Sequence, residues 1–197
     1  MKNLSDSNST QFFDDSTYKC IPANLAKFKA LLLIIDYDSS IDSFSICCAC
    51  LLSHEDAETF SELYYYLKTI WKFIPSKITY DFALGNINTI NTVYKNDNVL
   101  IIPCFFHLIQ VWWRKLNKLG FRKKNIIKKT KALVINLKLL PFMNHDKALE
   151  FYKKIKNEYN KDFETFFEYF DDTWFNIEED KDTRYDFSYW LYNGKFN

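Results

Sequence analysis

Four side chains in two pairs could carry chemistry. Cys104 and His107, separated by two residues in "IIPCFFHLIQVWWRK" (101–115), lie where an apolar run gives way to a helical pattern. Thiolate and imidazole are zinc ligands, but a zinc site needs four ligands, or three and a water, so two positions stay unnamed. His54 and His145 could fill them, and nothing in their spacing selects either. The plainer reading is a buried thiol at a strand end beside a histidine in a first helical turn. Asp15 lies inside an aromatic, β-prone stretch, and Asp81 lies near the end of a second short strand. A carboxylate on a buried strand is costly to desolvate unless it is paired or binds a cation, which makes two such positions candidate metal ligands. The plainer alternative is that both sit at strand ends and face water. Asp14 adds a further choice, since only one of two consecutive strand residues faces a given side of a sheet.

A third feature is electrostatic. From Arg114 to Lys131 there are nine Lys/Arg and no acid, whereas the segment after Phe142 carries more acids than bases, so the net charge of +1 conceals a strong asymmetry. Such a run is either a solvated helix face or one surface for an anion. Lysine dominates over arginine, and lysine meets phosphates as a point charge without bidentate base reading, so nucleic-acid contact here would be largely sequence-blind. The candidate contacts are Arg114, Lys115, Lys118, Arg122, Lys123, Lys124, Lys128 and Lys129. Trp112 or Trp113 could stack a base beside them, although one of the two falls on the apolar stripe of the helix. No Gly-rich phosphate loop and no serine nucleophile elbow occurs.

The elements that must position these residues follow from pattern. With 197 residues, 48% hydrophobic and 19% aromatic, the chain can bury a sizeable core, and three glycines with four prolines are too few for an all-β protein. Residues 1–10 are small and polar and are expected to be disordered. "QFFDDSTYKC" reads as a strand broken by two aspartates, and the apolar runs 29–38 and 43–53 read as a hairpin of buried strands. The spacing of Phe60, Leu63, Leu67, Ile70 and Trp71 predicts a helix over 56–74, ended by Pro75. A strand "SKITYDF", a helix through Leu84, Ile87, Ile90 and Tyr94, and a strand "NVLIIPC" come next. The helix from Phe105 stops at Gly120. Beyond residue 125 the pattern is wholly helical in three stretches, with Pro141 between the first two and Asn144 or Asp146 as a cap. The result is a mixed α/β sheet over 11–124, a helical segment over 125–175, and an acidic then aromatic tail over 176–197.

Five cysteines form no even framework and three crowd into one strand, so reduced thiols in an intracellular compartment are expected. The N-terminus has no apolar signal core and no apolar run reaches a membrane span, so a soluble protein with no membrane partner is expected.

In order along the chain, these blocks resemble the transposase domain of Mutator-like elements, of the DDE superfamily. "FFDDSTYKCIP" is similar to that family's first strand through Asp15, Thr17, Tyr18, Lys19 and Pro22; "IPSKITYDF" is similar to the segment of its second aspartate through Asp81. "CFFHLIQVWWRKLNKLGF" resembles its Cys-x-x-His signature and following helix, including Gln110, Arg114, Lys115 and Gly120. "ALVINLKLLPF", "ALEFYKKI" and "FFEYFDDTWF" resemble the helical stretch that interrupts the family's core.

The resemblance implies an RNase H-like core: a five-stranded mixed sheet with flanking helices, its first and fourth strands adjacent, followed by a helical insertion. Asp15 and Asp81 would then hold Mg or Mn ions about 3.5–4 Å apart, for cleavage and transfer of DNA strands. Cys104 and His107 would sit past the fifth strand, binding zinc or ordering the fold, and the cations after them would hold the DNA backbone in a nuclear protein. Three departures matter. Ser16 stands in place of a glycine, Ala83 stands where the family has an acid, and the family's third acid lies beyond the insertion, so the chain is expected to be truncated before it. Glu178 or Glu179 is a poor substitute, because catalytic geometry tolerates little displacement. Strand cleavage is therefore expected to be absent or weak. The alternative from another class is a non-catalytic DNA-binding or regulatory protein using residues 114–131, alone, as a homo-oligomer or with longer transposase copies.

Overall fold

A computed structural model of the chain describes residues 11–17, 21–25, 27–38, 40–82, 84–175, 185 and 187–192. The expected disorder of 1–10, the matches at Tyr18 and Lys19, Cys20, Ala83, Glu178 and Glu179 lie outside them. The protein is α/β and comprises two compact units that divide between Cys104 and Phe105.

The first unit is built on a five-stranded mixed sheet of order β3-β2-β1-β4-β5. Its strands are β1 (Gln11–Thr17), β2 (Ala30–Asp38), β3 (Ser43–Leu52), β4 (Lys77–Tyr80) and β5 (Leu100–Pro103). The two predicted apolar runs form the antiparallel pair β2/β3, and β1 adds antiparallel to β2. β4 and β5 then run parallel to β1. Alternation is visible along β2, where Ala30, Leu32 and Ile34 are buried and the residues between them are half-buried. A bulge at Cys47 shifts the register between Ile34 and Ile35, and β3, read from the sequence as a buried strand, leaves Phe44, Ile46 and Leu51 exposed and buries only Leu52.

Two helices connect the parallel strands, α1 (Ala57–Thr69) and α2 (Leu84–Val93). Asp56 starts α1 by accepting from the Thr59 amide at 2.9 Å. The helix ends well before the predicted stop at Pro75. Past Ile70 the chain turns through Lys72 in the left-handed region (φ 54°), and the Phe73 amide donates to Leu67 O at 3.0 Å. The turn is driven by packing: Phe73 is buried edge-on to Phe12 of β1, ring centroids 4.6 Å apart. Tyr64 of α1 packs edge-on to Tyr94, the residue that follows α2. Gly85 permits a close approach, since a Cβ there would lie 3.2 Å from the Ala57 amide nitrogen. The last turn of α1 is tied to α2 by Lys68, whose ammonium donates to Val93 O at 2.7 Å and pairs with Asp97.

The second unit is helical: α3 (Phe105–Lys118), α4 (Ile127–Leu137), α5 (His145–Trp174) and the short α6 (Phe187–Trp190). The residue pattern placed the change of organisation after residue 124, but α3 belongs with the helices that follow. Its stripe Leu108, Ile109, Trp112 and Leu116 is buried, and Trp112 packs edge-on to Trp174 and 5.3 Å from Phe170. The predicted second and third helical stretches run on as α5, kinked at Phe163 (φ −133°). Asn144 is its cap, accepting from the Lys147 amide at 3.0 Å. An aromatic core of Tyr152, Phe163, Phe166, Phe167, Phe170, Trp174 and Phe175 holds the unit together; each buried ring contributes about 1.5–3 kcal/mol. Part of the expected tail joins it, for Tyr185 stacks on Trp174 at 4.6 Å and the Tyr192 amide donates to Pro141 O at 2.6 Å.

Candidate functional site

Two places in the structure gather the residues singled out from the sequence, one in each unit. The first is the carboxyl-terminal edge of the parallel strands. β1 pairs in parallel with β4 from Gln11–Lys77 to Phe13–Thr79; Asp15 lies two residues beyond that pairing in β1, and Asp81 two residues beyond it, just past β4. Cross-strand partners share a face, and residues two apart return to it. A side-chain link shows that face directly: Gln11 Nε2 donates to Thr79 Oγ1 at 3.2 Å across the β1/β4 pair. Neighbouring strands lie about 4.8 Å apart, so this edge carries one acid on each of two adjacent chain segments. Asp15 is exposed and Asp81 half-buried, so neither is deprived of the water that a carboxylate needs.

Cys104 lies at this same edge. It follows β5, and its amide donates to Tyr80 O at 2.8 Å, which sets it beside the residue preceding Asp81. His107 opens α3 in the second unit, half-buried, with the Phe106 ring 5.6 Å from its own. The division of the chain thus falls between the two members of the Cys-x-x-His pair. His54 lies exposed ahead of α1, and His145 opens α5 beside Asp146. Among the described residues no group of three or more His, Cys, Asp or Glu side chains is placed to hold a metal ion. Oxygen donors at Asp15 and Asp81 suit a hard cation such as Mg or Mn.

The second place is a groove of about 530 Å³ within the helical unit, walled by α3, α4 and the turn between them. Gln110, Trp113, Arg114 and Asn117 recur at i, i+3, i+4 and i+7 along α3, so they form one stripe beside the buried one. Ile127 and Lys131, one turn apart on α4, face it, and Arg122 reaches it from the turn. The turn is firmly built. Gly120 adopts φ 85°, the Gly120 amide donates to Asn117 O at 3.0 Å and the Phe121 amide to Leu116 O at 2.9 Å, a Schellman closure of α3. The buried Thr130 hydroxyl donates to Phe121 O at 2.6 Å and pins the far side.

The structure sorts the candidate cations. Arg114 and Arg122 line the groove, while Lys118, Lys123, Lys124 and Lys128 are exposed around the same end. Lys115 instead holds its ammonium 4.0 Å from the Tyr169 ring centroid, and Lys129 pairs with Asp162 at 2.6 Å. The two tryptophans separate as well: Trp112 is wholly buried, Trp113 half-exposed in the groove wall. The individual contacts picked from the sequence omit Lys131 and Asn117, although both fall within the 114–131 segment read as an anion surface. The signal available for Asn117 was its helical spacing from Gln110, Trp113 and Arg114, and for Lys131 its place at the end of the acid-free run. Among the described residues no helix is long and apolar enough to cross a membrane. No protein-family model matches the chain, and no curated protein sequence matches it.

Proposed function

We propose that this chain is an RNase H-like core of the Mutator-like transposase kind, a DNA-processing domain in which Asp15 and Asp81 hold a divalent cation. The observation that supports the reading is the adjacency of β1 and β4, parallel neighbours with Asp15 late in the first and Asp81 just past the second. Ligands of open α/β sheets gather at that edge, outside the ends of the parallel strands. When bound there, Mg or Mn supplies Lewis acidity toward a phosphodiester oxygen and lowers the pKa of a coordinated water. Asp15 and Asp81 provide the hard oxygen ligands, β1 and β4 fix their spacing, and the water-accessible edge leaves room for a phosphate. Among the described residues no third ligand joins them in a metal-holding group, so the chain holds a cation with less charge than three acids would give. Cutting by the chain alone is accordingly weak.

The test is Mn2+ binding by water-proton relaxation, run beside metal-dependent nicking of supercoiled plasmid. Binding that disappears in both Asp15→Asn and Asp81→Asn, with nicking slow or absent, is the expected result. Binding indifferent to both substitutions would sink the reading. Robust cutting abolished by Asp81→Asn would keep the site and overturn its weakness. A second reading, a DNA-binding protein that does not cut, is favoured by one specific observation: Arg114, Arg122 and Lys131 converge on a single groove with no acid lining it. Binding by that route falls steeply with salt and with Lys-to-Glu changes between Lys118 and Lys131, and is indifferent to Asp15→Asn.

A further inference from the structure

We propose that the groove between α3 and α4 is a pocket for one unstacked nucleotide of a DNA strand, with the base on Trp113 and its phosphate among Arg114, Arg122 and Lys131. The inference rests on the reading of the chain as a DNA-binding protein and adds the form of DNA that it takes.

Each part of the wall has a chemistry that a purely electrostatic surface would not need. Three cations without a lining acid suit a phosphate, and a solvated lysine face could provide that alone. Trp113 is different: it is a large indole held half-exposed in the wall, one residue from the fully buried Trp112. Stacking on an aromatic ring is how proteins hold unpaired bases, because every base has a π-face. Gln110 and Asn117 stand one turn to either side of the Trp113–Arg114 step along the helix, and their amides offer both donors and acceptors to a base edge. Ile127 on α4 supplies an apolar surface opposite. The volume falls inside the roughly 300–1,000 Å³ range of small-ligand sites.

The pocket is also pre-shaped. The Gly120 closure and the Thr130 hydroxyl fix the turn that carries Arg122, so little ordering remains to be done when a ligand arrives. A base stacked inside a duplex cannot enter, since its faces are covered by its neighbours. The groove therefore prefers single-stranded DNA or a strand with an extruded base.

Base and phosphate together could also come from a free nucleotide, and the experiment separates the sources. Fluorescence anisotropy of the full chain would compare a labelled fifteen-nucleotide oligo-dT, a duplex of the same length, an oligonucleotide lacking bases, and dTMP as competitor. Expected are tighter binding of oligo-dT than of either duplex or abasic strand, about ten-fold weakening by Trp113→Ala, and retention by Trp113→Phe, which keeps a stacking ring. Arg122→Gln should weaken all the strands together. Equal binding of oligo-dT and the abasic strand by the unaltered chain would overturn the pocket while leaving DNA binding intact. Competition by dTMP at the concentration at which oligo-dT binds would overturn the strand and assign a free nucleotide. Absence of binding to every DNA at low salt would overturn the DNA-binding reading itself, and the pocket with it.

Discussion

Asp15 and Asp81 lie toward the carboxyl ends of two parallel neighbours, the first within β1 and the second one residue past β4. β2, β3 and α1 intervene in the chain, so the pair exists only because β1 is flanked by β2 on one side and β4 on the other. The proposed cation site would make the thermal stability of the first unit cation-dependent. A ligand present at about 100 times its Kd adds about 2.7 kcal/mol, which is several degrees for a unit of this size. Mn2+ is expected to raise the melting temperature of the unaltered chain. In Asp15→Asn or Asp81→Asn the increment should vanish, and the double variant should be no worse than either single one. Differential scanning calorimetry with and without Mn2+ decides it.

The strands and helices were legible wherever local pattern and packing agree. The two apolar runs became β2 and β3, Gly120 stopped α3, and Asn144 capped α5, each for the reason that its residue type suggests. What escaped was set by distant contacts. Pro75 looked like the end of α1 because Ile70 and Trp71 continue an apolar pattern, yet Phe73 turns away from the helix to meet Phe12. Asp15 and Asp81, read as residues, were two isolated acids; only the resemblance implied neighbouring strands, because sheet order is a long-range property. The groove was half legible. Its α3 stripe follows from helical spacing, but Ile127 and Lys131 join it only through the way in which α4 returns along α3.

The adjacent tryptophans should answer substitution in opposite ways. Trp112 is wholly buried against Phe170, Trp174 and Trp190, so Trp112→Ala leaves a large cavity in the helical unit and is expected to cost about 3–5 kcal/mol. Trp113 is half-exposed in the groove, and its replacement by alanine should cost less than about 1 kcal/mol. Urea denaturation followed by circular dichroism separates the two; similar losses would mean that Trp113 belongs to the core.

Gly120 is needed for its backbone and not for space. A Cβ there meets nothing nearer than Lys123 Cε at 3.8 Å, but φ 85° is costly for any residue with a Cβ. Gly120→Ala is expected to destabilise the helical unit by about 1–2 kcal/mol, and Gly120→Asn by less, because asparagine tolerates the left-handed region. Equal losses for the two substitutions would point to a steric origin instead.

Alkaline pH should unfold the protein through two buried phenols. Burial, followed by a hydrogen bond donated to Asp171, raises the pKa of Tyr152; burial, followed by the charge of Asp97, raises that of Tyr94. The folded chain then keeps protons that the unfolded chain gives up above about pH 10, so both stabilising contributions are present below that pH and fade as it rises. Each such tyrosine steepens the loss by up to about 1.4 kcal/mol per pH unit. The two residues differ at neutral pH. Tyr152→Phe removes the bond to Asp171, leaves that carboxylate to Lys156 at 2.5 Å, and should cost about 1 kcal/mol. The Tyr94 hydroxyl is buried with no hydrogen-bond partner among the described residues, so Tyr94→Phe should be neutral or stabilising. Melting temperatures from pH 8 to 11 should fall less steeply in both variants; a slope unchanged in either would mean that its phenol ionises as readily folded as unfolded.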